Sequence, residues 1–396
     1  MSWMIREDQL DVNQREFINV ESKKEGNIWI NGFAGSGKSV LLIHCLTDIL
    51  AKDPTAKVVV VVYTWSLIDI FKTGLKEIGI EQDIPVITYY EFTDRTVGNF
   101  DYIFCDEVQD LPNKVLIEMK NRSKKLIVSG DSNQSIYDVD PKWRLKSVEP
   151  SEIGGIIEAK AYGLDTIHRL TRSIISAVQQ LLPVMNIWSS KRDVTKVDVS
   201  IRLCKAKDVE EEVTYVFDES QKSAAINETA VILIPRHKDI IDFVQAVLVS
   251  KGKQKWNFVG SKWDKNKPLE YQSPDYDDLN RYLKSVDVKM QYVGNGKGSF
   301  AGVLKNKDTI LMTYHSAKGL DFDNVFIPFL NDQLQIAQLK SDILFMVAMT
   351  RSKKNLYLTY SKQLHPFIEV FRKECTEINI DELINPVSST GVDFDF

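Results

Sequence analysis

Near the start of the chain, Gly32-Phe33-Ala34-Gly35-Ser36-Gly37-Lys38-Ser39 matches the spacing G-x-x-x-x-G-K-[ST] at every fixed position. The glycines let backbone N–H groups wrap a phosphate, and a helix starting at the lysine adds the positive end of its dipole. Gly32, Gly35, Ser36 and Gly37 are expected to form the cradle. Lys38 is expected to reach the β- and γ-phosphates of ATP, and Ser39 to bind Mg²⁺. Such a loop needs a carboxylate on a neighbouring strand. Ile103-Phe104-Cys105-Asp106-Glu107 supplies one: Asp106 would hold the metal and Glu107 would orient and deprotonate the attacking water.

These residues need strands to carry them. Asn27–Asn31 reads as a strand, Val40–Ala51 as a helix, and Val58–Tyr63 as a β-branched strand, with further short apolar runs at Tyr102–Asp106 and Lys125–Ser129. Buried strands separated by helices predict a parallel α/β sheet. The pattern resumes with a strand at Ala230–Ile234, a helix at Asp239–Val249, and strands at Thr309–Tyr314, Asn324–Phe329 and Leu356–Thr359. A second sheet follows, with the break near Glu149-Pro150-Ser151 and Gly154-Gly155. The expected domains are 1–155, 156–380 and a flexible tail, 381–396. Lys251–Lys307 reads as irregular.

At 396 residues and 43% hydrophobic content, two or three domains can be filled. The net charge of −5 gives no global field for a polyanion, so nucleic acid would need a local basic groove. Cys45, Cys105, Cys204 and Cys375 form no CxxC pair, which fits a reducing cytosol without disulfides or zinc. The charged N-terminus and the short apolar runs point to a soluble cytoplasmic protein with no membrane partner.

Further motifs carry a family resemblance. Asp106-Glu107-Val108-Gln109-Asp110 and Gly130-Asp131-Ser132-Asn133-Gln134-Ser135-Ile136-Tyr137 resemble superfamily 1 helicases of the UvrD/Rep type. So do Thr313-Tyr314-His315-Ser316-Ala317-Lys318-Gly319-Leu320-Asp321-Phe322 and Val347-Ala348-Met349-Thr350-Arg351-Ser352-Lys353-Lys354, in the family's order. The resemblance implies two RecA-like parallel-sheet domains with the ATP site in the cleft between them. It implies that Gln14 reads the adenine edge, Gln134 senses the γ-phosphate, and Arg169 and Arg351 are offered to that phosphate by the second domain. Asp321 stands where the family usually has a ribose-contacting Glu, and His168 where a tyrosine covers the adenine. The implied nucleic-acid contacts are Thr64, Ser66, Thr88, Tyr90, Tyr137, Thr313, His315 and Ser316. For Tyr90, base stacking and ordinary packing remain equally open.

The chain departs from the family after Tyr137, where Asp138-Val139-Asp140-Pro141 replaces an aromatic and an arginine, and at Val40, which replaces a basic residue. The intervals Lys38–Asp106 and Arg169–Thr313 leave no room for the large accessory domains of longer relatives. The expectation is therefore a stripped motor: an ATP-dependent 3′→5′ single-stranded-DNA translocase or helicase. It would work with a protein partner, such as a nuclease or a repair or replication factor, or in phage defence. A nucleotide-gated binding switch and an RNA helicase are the alternatives. Six lysines and interleaved aromatics in Lys251–Glu270 fit either a strand-binding loop or a solvated linker. The tail Val392-Asp393-Phe394-Asp395-Phe396 is either a docking tip, similar in kind to that of bacterial single-strand-binding proteins, or a solubilising end.

Overall fold

The computed structural model describes residues 4–384 except 132, 138, 141–142, 186–190, 193–195, 269–270 and 339. Ser132, Asp138, Pro141 and the acidic–aromatic tail therefore lie outside the described residues.

Two all-parallel sheets form the frame. The first contains β1 (Asn27–Gly32), β2 (Val58–Val62), β3 (Val86–Thr88), β4 (Phe100–Cys105), β5 (Ser123–Gly130) and β6 (Ala159–Leu164), in the order β3-β2-β4-β5-β1-β6. A short parallel pair, β7 (Thr166–Ile167) and β8 (Lys191–Arg192), follows. The second sheet contains β9 (Ser200–Lys205), β10 (Ala230–Ile234), β11 (Met290–Tyr292), β12 (Thr309–Thr313), β13 (Phe322–Ile327), β14 (Ser352–Tyr360) and β15 (Thr376–Asn379). Its order is β11-β12-β10-β13-β14-β9-β15. The two parallel α/β sheets expected from the sequence are thus present.

The central strands are those with unbroken apolar runs. All five valines of β2 are buried, as are all five residues of β10 and all six of β13. Covering helices on both faces remove such strands from water entirely, which is why they do not alternate. Two features differ from the sequence reading. Ala159–Leu164 pairs along its whole length with β1, so the first sheet runs on past the glycine-rich break at 154–155. Lys251–Lys307 is also far from irregular. It holds a helix at Tyr276–Ser285, started by the Asp275 carboxylate accepting from the N–H groups of Asp277 and Asp278. It also holds β11 at the sheet edge and a helix at Phe300–Asn306 capped by Ser299. Short capped elements of this kind leave little periodicity to read.

Within the same segment Trp256 is buried, donating from Nε1 to Asp278 Oδ2 at 3.0 Å. It is a core residue, while Phe258 and Tyr271 are exposed. Among the described residues, no helix is long and apolar enough to cross a membrane.

Candidate functional site

In open parallel sheets ligands gather outside the carboxyl ends of the strands. The phosphate loop leaves the end of β1 and enters α2 (Lys38–Lys52), whose N-cap is Gly37. Gly35 and Gly37 have φ of +77° and +86°, a region open to glycine at little cost. A Cβ on Gly37 would run into the amide of Gln14. One on Gly35 would overlap the Arg169 Cβ and lie 3.2 Å from the Arg169 backbone nitrogen. The loop is therefore gripped from both sides.

On one side stands α1 (Val12–Asn19). Gln14 donates from Nε2 to the Ser36 carbonyl at 3.0 Å and accepts from the Asp11 N–H at 3.0 Å, while Asp11 Oδ1 accepts from the Gln14 N–H at 2.7 Å. This reciprocal cap commits both ends of the Gln14 amide, so the fully buried residue expected at the adenine edge here braces the loop. On the other side, the His168 N–H donates to the Gly35 carbonyl at 2.9 Å, and the His168 imidazole meets Asp11 Oδ2 at 2.7 Å. Arg169 follows directly and pairs with Asp321 from the second domain. Arg169 thus sits where the chain leaves the last strand of the first sheet.

Lys38 donates to the carbonyl oxygens of Gly32 and Phe33 at 2.8 and 3.1 Å. Ser39 Oγ donates to Asp106 Oδ2 at 2.5 Å, and Ser129 Oγ and the Glu107 N–H donate to Asp106 Oδ1 at 2.6 and 2.9 Å. Burial, reinforced by Glu107, raises the Asp106 pKa. A hydroxyl against a carboxylate at a phosphate loop is a hard oxygen donor set of the sort Mg²⁺ takes when phosphates and water complete its shell. Three buried polar atoms around the loop, Ser36 Oγ, Asp131 Oδ2 and Arg169 Nε, have no hydrogen-bond partner among the described residues. That is the environment a charged ligand would complete.

Glu107 sits at φ +56° in the turn after β4, a strained setting for a non-glycine residue. Gln109 Nε2 donates to Glu107 Oε2 at 2.6 Å and Gln109 Oε1 accepts from the Asp131 N–H at 3.2 Å, which fixes the turn against the end of β5. Burial opposes the Glu107 charge, but Lys318 and Lys38 outweigh it and hold the carboxyl below its usual range.

From the second domain, Arg351 is fully buried and donates to the carbonyls of Val347 (2.8 Å) and Leu320 (3.3 Å) and to Thr350 Oγ1 (3.0 Å). Burial, then the Arg169 charge, lowers its pKa to about 9, so it stays cationic at neutral pH. Gln134 Nε2 approaches Met346 Sδ at 3.7 Å. The sequence reading missed Lys318. Its ammonium crosses from the second domain to Asp110, donates to the Gln134 carbonyl at 2.6 Å and lies 3.5 Å from Glu107 Oε2.

A second cleft, of about 470 Å³, opens beside these residues. All eight expected strand contacts line it: Thr64, Ser66, Thr88, Tyr90 and Tyr137 from the first domain, and Thr313, His315 and Ser316 from the second. Tyr63, Trp65, His237 and Asn295 join them, unannounced by the motifs. An aromatic row runs through the cleft wall. Tyr90–Tyr89, Tyr89–Tyr63, Tyr63–Tyr137 and Tyr137–His315 have ring centroids 4.0, 5.1, 4.8 and 5.4 Å apart. Beyond Tyr90 the row ends on Trp143, 5.3 Å away, which also carries the Lys114 ammonium 4.7 Å from its ring. The divergent loop after Tyr137 is organised by buried Asp140, which accepts from the Tyr89 hydroxyl at 2.5 Å, the Tyr90 hydroxyl at 3.2 Å and the Trp143 N–H at 2.7 Å. Tyr90 therefore both packs and faces the cleft.

Two family matches fall on this arrangement, one in each half. Residues 28–173 match the viral superfamily 1 RNA helicase core domain, and residues 296–363 match the UvrD-like helicase C-terminal domain. The chain is a superfamily 1 helicase of the UvrD/Rep type. No curated protein matches it. The helicase's two RecA-like domains meet at the phosphate loop, and its activity is ATP hydrolysis coupled to nucleic acid.

Proposed function

We propose that this helicase is a Mg²⁺-dependent ATPase that moves 3′→5′ along single-stranded DNA and works with a protein partner in DNA repair, replication or phage defence. The observation that carries the reading is the cleft of Tyr63, Thr88, Tyr137, Thr313 and His315, built jointly by both domains beside the ATP residues. Hydroxyls and ring faces suit a strand held by its backbone and stacked bases rather than read by sequence. The UvrD-like match over residues 296–363 supports the direction. The short intervals between motifs support dependence on a partner.

In this reading Ser39 and Asp106 hold Mg²⁺, which when bound neutralises phosphate charge. Lys38 and the loop N–H groups bind the phosphates, Glu107 orients and takes the proton of the attacking water, and Gln134 contacts the γ-phosphate. Arg351 and Arg169 meet the transition-state charge as the domains close. Arg169 would exchange Asp321 for phosphate oxygens, freeing Asp321 for the ribose. His168 would face the adenine beside Gln14.

The test is ATPase activity with no polymer, with single-stranded DNA and with single-stranded RNA, together with displacement of streptavidin from either end of a biotinylated strand. Stimulation by DNA and clearance of the 5′ end alone are expected. No stimulation by either polymer would favour a switch. RNA is the second reading, favoured by the viral RNA helicase match over 28–173, and stimulation by RNA alone would select it.

A further inference from the structure

The Lys318 side chain is only 2% exposed, although its ammonium lies between two domains. Burial works against its charge, and Asp110 and then Glu107 restore it. A buried ion pair of this kind is a poor source of net stability, but it selects one arrangement over others, because either partner left alone is a buried unpaired charge. What it selects is visible in its connections. Asp110 Oδ1 accepts from the Ile136 N–H at 3.1 Å, one residue before Tyr137 in the cleft wall, while Asp110 Oδ2 takes Lys318. The Gln134 carbonyl and Glu107 are the other neighbours of the same ammonium.

Lys318 also ends a tightly bonded turn. Thr313 Oγ1 accepts from the Ser316 N–H at 3.1 Å, the Ala317 N–H donates to the Thr313 carbonyl at 3.1 Å, and the Lys318 N–H donates to the His315 carbonyl at 3.2 Å. Next comes Gly319 at φ +80°, where a Cβ would strike Leu67 Cδ2 at 2.7 Å. The turn therefore links Thr313, His315 and Ser316 in the cleft to Lys318 through three hydrogen bonds.

Resting on the reading of that cleft as the strand site, we propose that Lys318 is a positioning residue that couples strand binding to ATP hydrolysis. A strand seated against Thr313, His315 and Ser316 sets the turn. The turn sets the ammonium, and the ammonium places Glu107, Asp110 and the Gln134 backbone relative to one another. Lys318 is not among the residues that line the strand cleft.

The experiment uses the full chain and the variants Lys318→Met, Lys318→Arg and Asp110→Asn. ATPase kcat and KM are measured with and without saturating single-stranded DNA, alongside strand binding by anisotropy and nucleotide binding by a fluorescent ADP. For Lys318→Met and Asp110→Asn, kcat with strand should fall about 100-fold, the size of a geometric error of roughly 1 Å. Both dissociation constants and KM should stay within about threefold, and Lys318→Arg should recover part of the stimulation. A loss of packing alone would move affinities and kcat together and would not be rescued by arginine, which overturns the proposal. If Lys318→Met fails to fold, Asp110→Asn, which keeps the acceptor oxygen, decides the matter. A parent stimulated by strand with an equally stimulated Asp110→Asn removes the coupling but not the translocase reading. A parent that no polymer stimulates removes both.

Discussion

Replacing Gly35 by alanine tests the grip on the phosphate loop, and Gly26→Ala supplies its control. Both glycines have positive φ, +77° and +88°, so each alanine costs roughly 1–2 kcal/mol of left-handed backbone strain. At Gly26 nothing lies within 4 Å of the new Cβ, so the cost ends there. At Gly35 the new methyl overlaps the Arg169 Cβ, and ordinary contact requires Arg169 to retreat by roughly 1 Å. The retreat also stretches the bond from the His168 N–H to the Gly35 carbonyl, worth about 1 kcal/mol. The sum is about 2–3 kcal/mol for Gly35→Ala against about 1–2 for Gly26→Ala, read from urea midpoints. The catalytic consequence separates the two more sharply. A group shifted by about 1 Å from its productive place costs on the order of 100-fold in rate. Strand-stimulated kcat should therefore fall about 100-fold in Gly35→Ala and less than about twofold in Gly26→Ala. Because the new methyl points at Arg169 rather than into the cradle, KM for ATP should rise far less than kcat falls. Equal kcat in the two variants, or a purely KM effect at Gly35, would refute the reasoning.

Other substitutions probe the remaining parts. Glu107→Gln should lower kcat by about 10²–10⁴-fold with fluorescent-nucleotide affinity nearly unchanged, and normal hydrolysis would remove Glu107 from the water-activating role. Trp65, half exposed on the cleft rim, should lose about 1–3 kcal/mol of strand affinity on mutation to alanine, with no effect on strand-free ATPase; unchanged anisotropy titrations would count against the cleft. The described residues lining that cleft include no lysine or arginine, so strand affinity should depend only weakly on salt, and a steep slope in a titration from low to high salt would place the main phosphate contacts elsewhere. Burial, helped by the charges on His237 and Lys318, pushes the His315 imidazole down to about 4 from 6.5. The unfolded chain then binds the proton first, so this stability is intact above about pH 7 and is lost as pH falls from 6.5 toward 4, by roughly 3 kcal/mol at most. His315→Gln should shrink the drop in urea midpoint between pH 7 and pH 5. An identical drop in both proteins would show that His315 is not the titrating group.

Much of the frame is legible without coordinates because local rules fix it. The β-branched run of β2 can only be a buried strand, and the phosphate loop declares its strand, turn and helix by glycine spacing alone. Several strands escape reading: short or edge ones, and also β9, a six-residue strand between β14 and β15 whose apolar residues are broken by Ser200, Arg202 and Lys205. β3 has three residues and β15 is largely exposed, so neither shows an apolar run. Their identity comes from the parallel neighbour each pairs with, which lies far away in sequence. The eight cleft residues expected as strand contacts were nameable from motifs, yet Tyr63, His237 and Asn295 were not, since each reaches the cleft only because its strand ends there.

Residue type and local spacing by themselves pointed to a phosphate cradle and a carboxylate pair, and the family resemblance added two arginines. Tertiary structure decided how those groups are used at rest. It turned Gln14 into a brace for the loop through a reciprocal cap, set Arg169 at the exit of β6 against Asp321, and folded Arg351 onto carbonyls of its own domain. It also drove Lys318 into the acidic turn of the other domain, a pairing separated by more of the chain than any local rule can reach. Hydrogen-bond and charge satisfaction in a buried cleft is a property of what surrounds a residue, and that is settled only when both sheets are folded against each other.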